Sequence, residues 1–170
     1  MDEAVNILKK GIAIEKNGIE AYLDFAAKVK NETGKNVFIR LAHDEFDHMT
    51  VLERQLEGLI CNKIWICEAI PKSIIEGLSP RLREIDKIKS GDGIEDLDVL
   101  KIGLDLERRS IEFYQNDKKK IEDKEAVKMF DRIIEMEESH YDLLQAEIDH
   151  IEKTGFWFGI REFTLESERG

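Results

Sequence analysis

Arg40 to Glu53 read RLAHDEFDHMTVLE, and within them Leu41, Glu45, His48 and Leu52 recur on one helical face. A carboxylate and an imidazole stand where the pattern asks for buried hydrocarbon. The arrangement returns, without a gap, 92 positions later: Arg40 aligns with Arg132, Glu45 with Glu137, His48 with His140 and Leu52 with Leu144. Working outward, the same shift pairs Leu8 with Leu100, Gly11 with Gly103, Glu15 with Glu107 and Ile19 with Ile111. It also pairs Glu20 with Glu112, Tyr22 with Tyr114, Phe38 with Phe130 and Trp65 with Trp157. A gapless repeat of this kind makes each half one helical hairpin with the same internal geometry, the two related by a pseudo-two-fold axis.

Periodicity sets the elements. A first helix over 3–30 carries Leu8, Ile12, Glu15, Ile19, Tyr22, Ala26 and Val29 as its seam, and Asn31 to Lys35 (NETGK) reads as a turn. A second helix runs from about Asn36 to Leu59. The third, from about Ile94 to Lys120, has Leu100, Leu104, Glu107, Ile111, Tyr114 and Ile121 as its seam. The fourth runs from about Lys124 to Thr154 before Gly155, after a turn at IEDK. Both prolines, Pro71 and Pro80, lie in the 34-residue segment from Ile60 to Gly93, with a short helix expected at RLREIDKIKS and a turn at GDG. Glu15 and Glu45 each lie about 15 residues, roughly 22 Å of helix, from a turn near residue 30, so they face each other. Glu107 and Glu137 do the same around a turn near residue 122. The expected fold is all-α: a four-helix bundle of two repeated hairpins joined by one long crossover at about 60–93, with repeat halves at about 3–66 and 95–158. One domain over 1–170 is expected, with an aromatic tail at 155–170 that covers the bundle or forms a dimer interface.

Burying four facing carboxylates costs several kcal/mol each unless they are neutralised. Two divalent cations balance their four charges, and neutral His48 and His140 add nitrogen donors. The E-x-x-H spacing places both side chains on one helix face. Glu15, Glu45, His48, Glu107, Glu137 and His140 are therefore the candidate metal ligands, and catalysis would run through the metals they hold. Oxygen donors with one nitrogen per metal suit iron or manganese, with zinc as a third option. The bland alternative is an apo bundle with protonated acids and hydrogen-bonded histidines. A third E-x-x-H, Glu147 and His150, has Gln55 and Gly58 as repeat mates and reads as a chance occurrence. Tyr22 and Tyr114 are candidates to bond carboxylates of other helices, or else pack as core. Gly11 and Gly103 allow close helix approach or leave room beside the metals. Glu20 and Glu112 point away toward surface ion pairs, and His43 toward solvent. Cys61 and Cys67 lack metal spacing and read as free, buried thiols, with a redox or crossover disulfide as the alternative.

IEKNGIEAY and LERRSIEFY resemble the first and third helices of the rubrerythrin branch of the ferritin-like superfamily, and HDEFDHMTVL and EMEESHYDLL resemble its second and fourth. The resemblance covers about residues 3–154. It implies two irons bridged by Glu45 and Glu137, with Glu15 and Glu107 as terminal carboxylates and His48 and His140 as nitrogen ligands. It also implies peroxide reduction in oxidative-stress defence. Two departures stand out. Many members carry a further glutamate one turn after the third-helix ligand, where this chain has Ser110. They commonly carry a rubredoxin domain with paired C-x-x-C motifs, and none is present, so electrons are expected from an external rubredoxin-like donor. Peroxide or dioxygen is the expected oxidant. Iron storage in a ferritin-like cage and a structural or regulatory metal bundle are the rival readings.

A net charge of -11 disfavours nucleic acid and anionic membrane surfaces as partners and concentrates cations. No apolar run reaches about 18 residues, and the first residues, MDEAVNILKKGIAIEK, lack the pattern of a signal peptide. A cytoplasmic homo-oligomer, with a dimer favoured, is the expectation.

Overall fold

The structure, a computed structural model, describes residues 2–66 and 96–157. Helices α1 (Asp2–Lys28) and α2 (Glu32–Glu57) form the first hairpin, and α3 (Leu97–Asp117) and α4 (Lys124–Thr154) the second. There is no strand among the described residues. The short helix at RLREIDKIKS, the GDG turn, both prolines, Cys67, and Phe158 and Phe163 of the tail lie outside them.

The first link is shorter than NETGK suggests. Asn31 is extended, and its side chain accepts bonds from the amides of Thr33 and Gly34, so α2 is capped there and already helical at Glu32. Gly34 lies inside the helix because Trp157 and Val29 occupy the space a side chain would need, at 2.5 and 2.7 Å from a built Cβ. The repeat mate of Asn31, Asp123, caps α4 in the same way through the amides of Glu125 and Ala126. A three-residue 3-10 turn at Lys118–Lys120 and extended Ile121 precede it, as IEDK suggests.

Helix ends repeat too. α2 loosens into a π-turn at Gly58–Asn62 and stops at Lys63, which is left-handed with φ 60°. Its mate Gly155 ends α4 at φ 80°, donating its amide to Ile151 at 2.7 Å.

Two apolar layers enclose the middle of the bundle. One gathers Tyr22, Val29, Val37, Phe38, Leu41, Leu100, Leu144, Ile151 and Trp157. The other gathers their mates Tyr114, Ile121, Met129, Phe130, Ile133, Leu8, Leu52 and Leu59, with Trp65 against it. Each layer joins the turn end of one hairpin to the open end of the other, the packing a pseudo-two-fold axis requires. Edge contacts of Phe38 with Trp157 and of Phe130 with Trp65 close the two ends. Along α1, Ile12 and Ile19 are only half-buried, and Gly11 and Phe25 take deeper positions. Glu20 and Glu112 pair on the surface with Lys16 and Arg108, as their angular position requires. Among the described residues no helix is long and apolar enough to cross a membrane.

Candidate metal centre

Between the layers the seams turn polar. Glu15 comes from α1, Glu45 and His48 from α2, Glu107 from α3, and Glu137 and His140 from α4. All six are at most 3% exposed. They form two groups, Glu15, Glu45, His48, Glu137 and Glu45, Glu107, Glu137, His140, within each of which ligand atoms lie within 4.8 Å of one another. Glu45 and Glu137 belong to both. Nδ1 of His48 is 3.0 Å from Glu137 Oε1, 3.4 Å from Glu15 Oε2 and 3.5 Å from Glu45 Oε2. Nδ1 of His140 is 3.3 Å from Glu45 Oε1 and 3.6 Å from Glu107 Oε1. The two imidazoles stack with centroids 5.7 Å apart.

This crowding is costly without cations. Burial raises the Glu15 carboxyl to about 8, reinforced by the charge of Glu45. Burial, then the charge of Glu137, drives Glu107 well above the usual carboxylate range. Burial works against protonated imidazole, yet the close carboxylates of Glu137, Glu15 and Glu45 carry His48 well above its ordinary value. His140 is carried up likewise by Glu107, Asp44 and Glu45. Burial and Glu137 push Glu45 up, but the close approach of Glu15, His140 and His48 outweighs them and holds it low. Even so, Glu15 Oε2, Glu107 Oε2, both oxygens of Glu137 and Nδ1 of both histidines have no aligned hydrogen-bond partner. Buried polar atoms left unpaired are rare. Here they converge on shared points, a donor set that fits two cations displacing protons.

The family model described as Rubrerythrin matches residues 6–148. The chain belongs to the rubrerythrin family. No curated protein matches it.

Around the six residues, further buried side chains hold the carboxylates in place. Tyr22 donates its hydroxyl to Glu107 and Tyr114 to Glu15, each reaching across to the other hairpin. Burial, then the charge of Glu107 for Tyr22 and of Glu15 for Tyr114, keeps both phenols protonated donors. Gly11 leaves room for the Tyr114 hydroxyl, which would lie 3.1 Å from a Cβ there, whereas a Cβ on Gly103 would crowd Leu144 at 3.2 Å and meet Tyr22 only at ordinary contact distance.

A cavity of about 210 Å³ opens between α1 and α3 and reaches Glu45 and Glu137. Most of its lining comes in repeat pairs, Ile14 with Leu106, Asn17 with Arg109, Gly18 with Ser110 and Glu45 with Glu137, while Tyr22 and Glu107 line it without their mates. It therefore straddles the pseudo-two-fold axis. Ser110, where many rubrerythrins carry a glutamate, is 6% exposed and its hydroxyl has no hydrogen-bond partner.

Asp44 is the residue that the sequence reading passed over. It is fully buried on α2, with Oδ2 3.3 Å from Nε2 of His140. Its place between Leu41 and His48 on the seam was the available signal, but its repeat mate is Met136 and a search for matches discards it. Glu147 and His150 join no metal-type group among the described residues. Glu147 is nonetheless buried, and its mate Gln55 clamps the backbone of Ile66 from both sides, at 2.7 and 2.9 Å. Cys61 is a free thiol, but it is exposed, not packed, because the π-turn carries it to the surface. Trp157 covers the bundle end, 3% exposed, with its indole N–H on Asp96 at 2.9 Å. His43 lies on the surface 3.7 Å from Asp47.

Proposed function

We propose that this rubrerythrin-family chain holds two iron ions among the six residues and reduces hydrogen peroxide, or dioxygen, with electrons from an external protein. Bound there as a ferrous pair, the metals would supply two electrons, enough with two protons to reduce one peroxide to two waters. The reading rests on one observation above all: a single cavity reaches Glu45 and Glu137, the two carboxylates shared by both groups. An oxidant entering there meets both metal positions at once.

The protein's part is positioning and exclusion. Glu45 and Glu137 would be shared by the two ions, with Glu15 and His48 holding one and Glu107 and His140 the other. Tyr114 and Tyr22 hold the terminal carboxylates in their rotamers, and the apolar layers keep bulk water from the site. The free hydroxyl of Ser110 faces the cavity and offers a hydrogen bond to an oxygen atom bound there. Manganese or zinc would fit the same donors, and zinc, which has no redox chemistry, would not serve the electron transfer.

Electrons would come from a rubredoxin-like donor, and the chain would act as a dimer in the cytoplasm. Anaerobic Fe(II) titration followed by rapid mixing with peroxide or dioxygen tests the reading. Saturation at two irons per chain and faster oxidation by peroxide are expected. A large shell that accumulates many irons per chain would instead establish storage, and redox-silent metal would establish a structural bundle.

A further inference from the structure

The two halves repeat their ligands but not what stands behind the histidines. Both imidazoles direct Nδ1 at the carboxylates, 3.0 Å from Glu137 Oε1 for His48 and 3.3 Å from Glu45 Oε1 for His140. A histidine that ligates through Nδ1 must carry its proton on Nε2, and a buried N–H needs an acceptor. His140 has one: Asp44 Oδ2 stands 3.3 Å from its Nε2. His48 does not, since its Nε2 is buried without a hydrogen-bond partner. The position matching Asp44 in the second half holds Met136, 2% exposed, whose thioether is a weak acceptor.

We infer that Asp44 is a positioning residue that makes the two metal positions unequal: the ion held by Glu107 and His140 binds first and tighter, and the one held by Glu15 and His48 is the labile one. An aspartate behind a ligating histidine fixes the ring's orientation and tautomer and raises its basicity, and losing such a partner costs about 10- to 100-fold in metal affinity. This rests on the dinuclear reading above and adds an order of filling to it. In working terms, one metal stays resident while the other exchanges.

The test is a titration of the metal-free full-length chain with Co(II) alone, followed by visible absorption and repeated calorimetrically with Zn(II). Two resolved steps of one ion each are expected. His48→Ala should keep the first step and lose the second, and His140→Ala should remove the first. Asp44→Ala should weaken the first step about 10- to 100-fold, merging it with the second, whereas Asp44→Asn, which keeps an oxygen acceptor, should lose less. Two steps of equal affinity in the native chain, a second ion bound more tightly than the first, or an unaltered first step in a folded Asp44→Ala chain would overturn the inference. The native titration and the histidine pair decide the matter even if Asp44→Ala does not fold. Failure to bind either ion would sink the dinuclear reading itself, whereas equal binding would sink only the inequality.

Discussion

At the residue scale, the centre is a negotiation between carboxylates that must be buried and the groups that make burial tolerable. Tyr22 and Tyr114 carry much of that task, since each gives a buried carboxyl its one aligned donor across the bundle. Tyr22→Phe removes the bond and leaves the ring, so the metal-free chain should lose about 1–3 kcal/mol in a denaturant titration with an unchanged slope. Loss of less than about 0.5 kcal/mol would mean that Glu107 finds another partner.

Protonation adds a signed expectation. Glu15 is raised from 4.5 to about 8, so the folded, metal-free chain holds a proton that the unfolded chain has lost, and stability drains away as pH rises through that window. His48 and His140, both raised, contribute fully below 6.5 and lose their contribution above it. Glu45, held low, acts oppositely: its contribution is full above its usual 4.5 and is lost as pH falls below it. The melting temperature of the metal-free protein should therefore fall from about pH 5 to about pH 9 in scanning calorimetry. Metal loading should reverse the slope, because protons and cations compete for the same atoms. A flat profile without metal would show that the cluster is not proton-loaded.

At the element scale, the helices were legible because their ligands and caps recur. Glu15, Glu45, His48, Glu107, Glu137 and His140 each had a mate at the same shift, and the structure sets all six between two apolar layers. What escaped notice was whatever the halves do not share. Asp44 against Met136 was lost for that reason, and so was the burial of Glu147. The start of α2 was misplaced for a different one: NETGK holds turn-forming residues, yet Asn31 acts as a cap and Gly34 as clearance for Trp157, a long-range contact that local sequence does not announce. The unmatched helix ends give a further prediction. Lys63 adopts the left-handed conformation that its mate Gly155 adopts without steric cost. Lys63→Gly should raise stability by about 1 kcal/mol, read from the denaturation midpoint, and a decrease would mean that its side-chain contact with the Ile60 carbonyl outweighs the backbone relief.

At the scale of the whole molecule, two hairpins crossing about one axis produce a site whose shared carboxylates and entrance both lie on that axis. The cavity was not legible in the sequence, because Ile14, Asn17, Gly18, Leu106 and Arg109 signal nothing by type, and Ser110 stood out only by the resemblance. Only the separation of α1 from α3 gives them a function. Filling it should separate binding from chemistry: Ser110→Leu should leave the metal content unchanged while slowing oxidation by peroxide about tenfold to a hundredfold in stopped flow. An unchanged rate would place the oxidant's route elsewhere. On this reading, the duplicated hairpins hold two metal ions on carboxylates common to both. Anomalous diffraction at the iron edge, from crystals grown anaerobically with Fe(II), measures this directly. It should show two peaks per chain, both in contact with Glu45 and Glu137, one beside His48 and the other beside His140. A single peak, or peaks away from these six side chains, would contradict it.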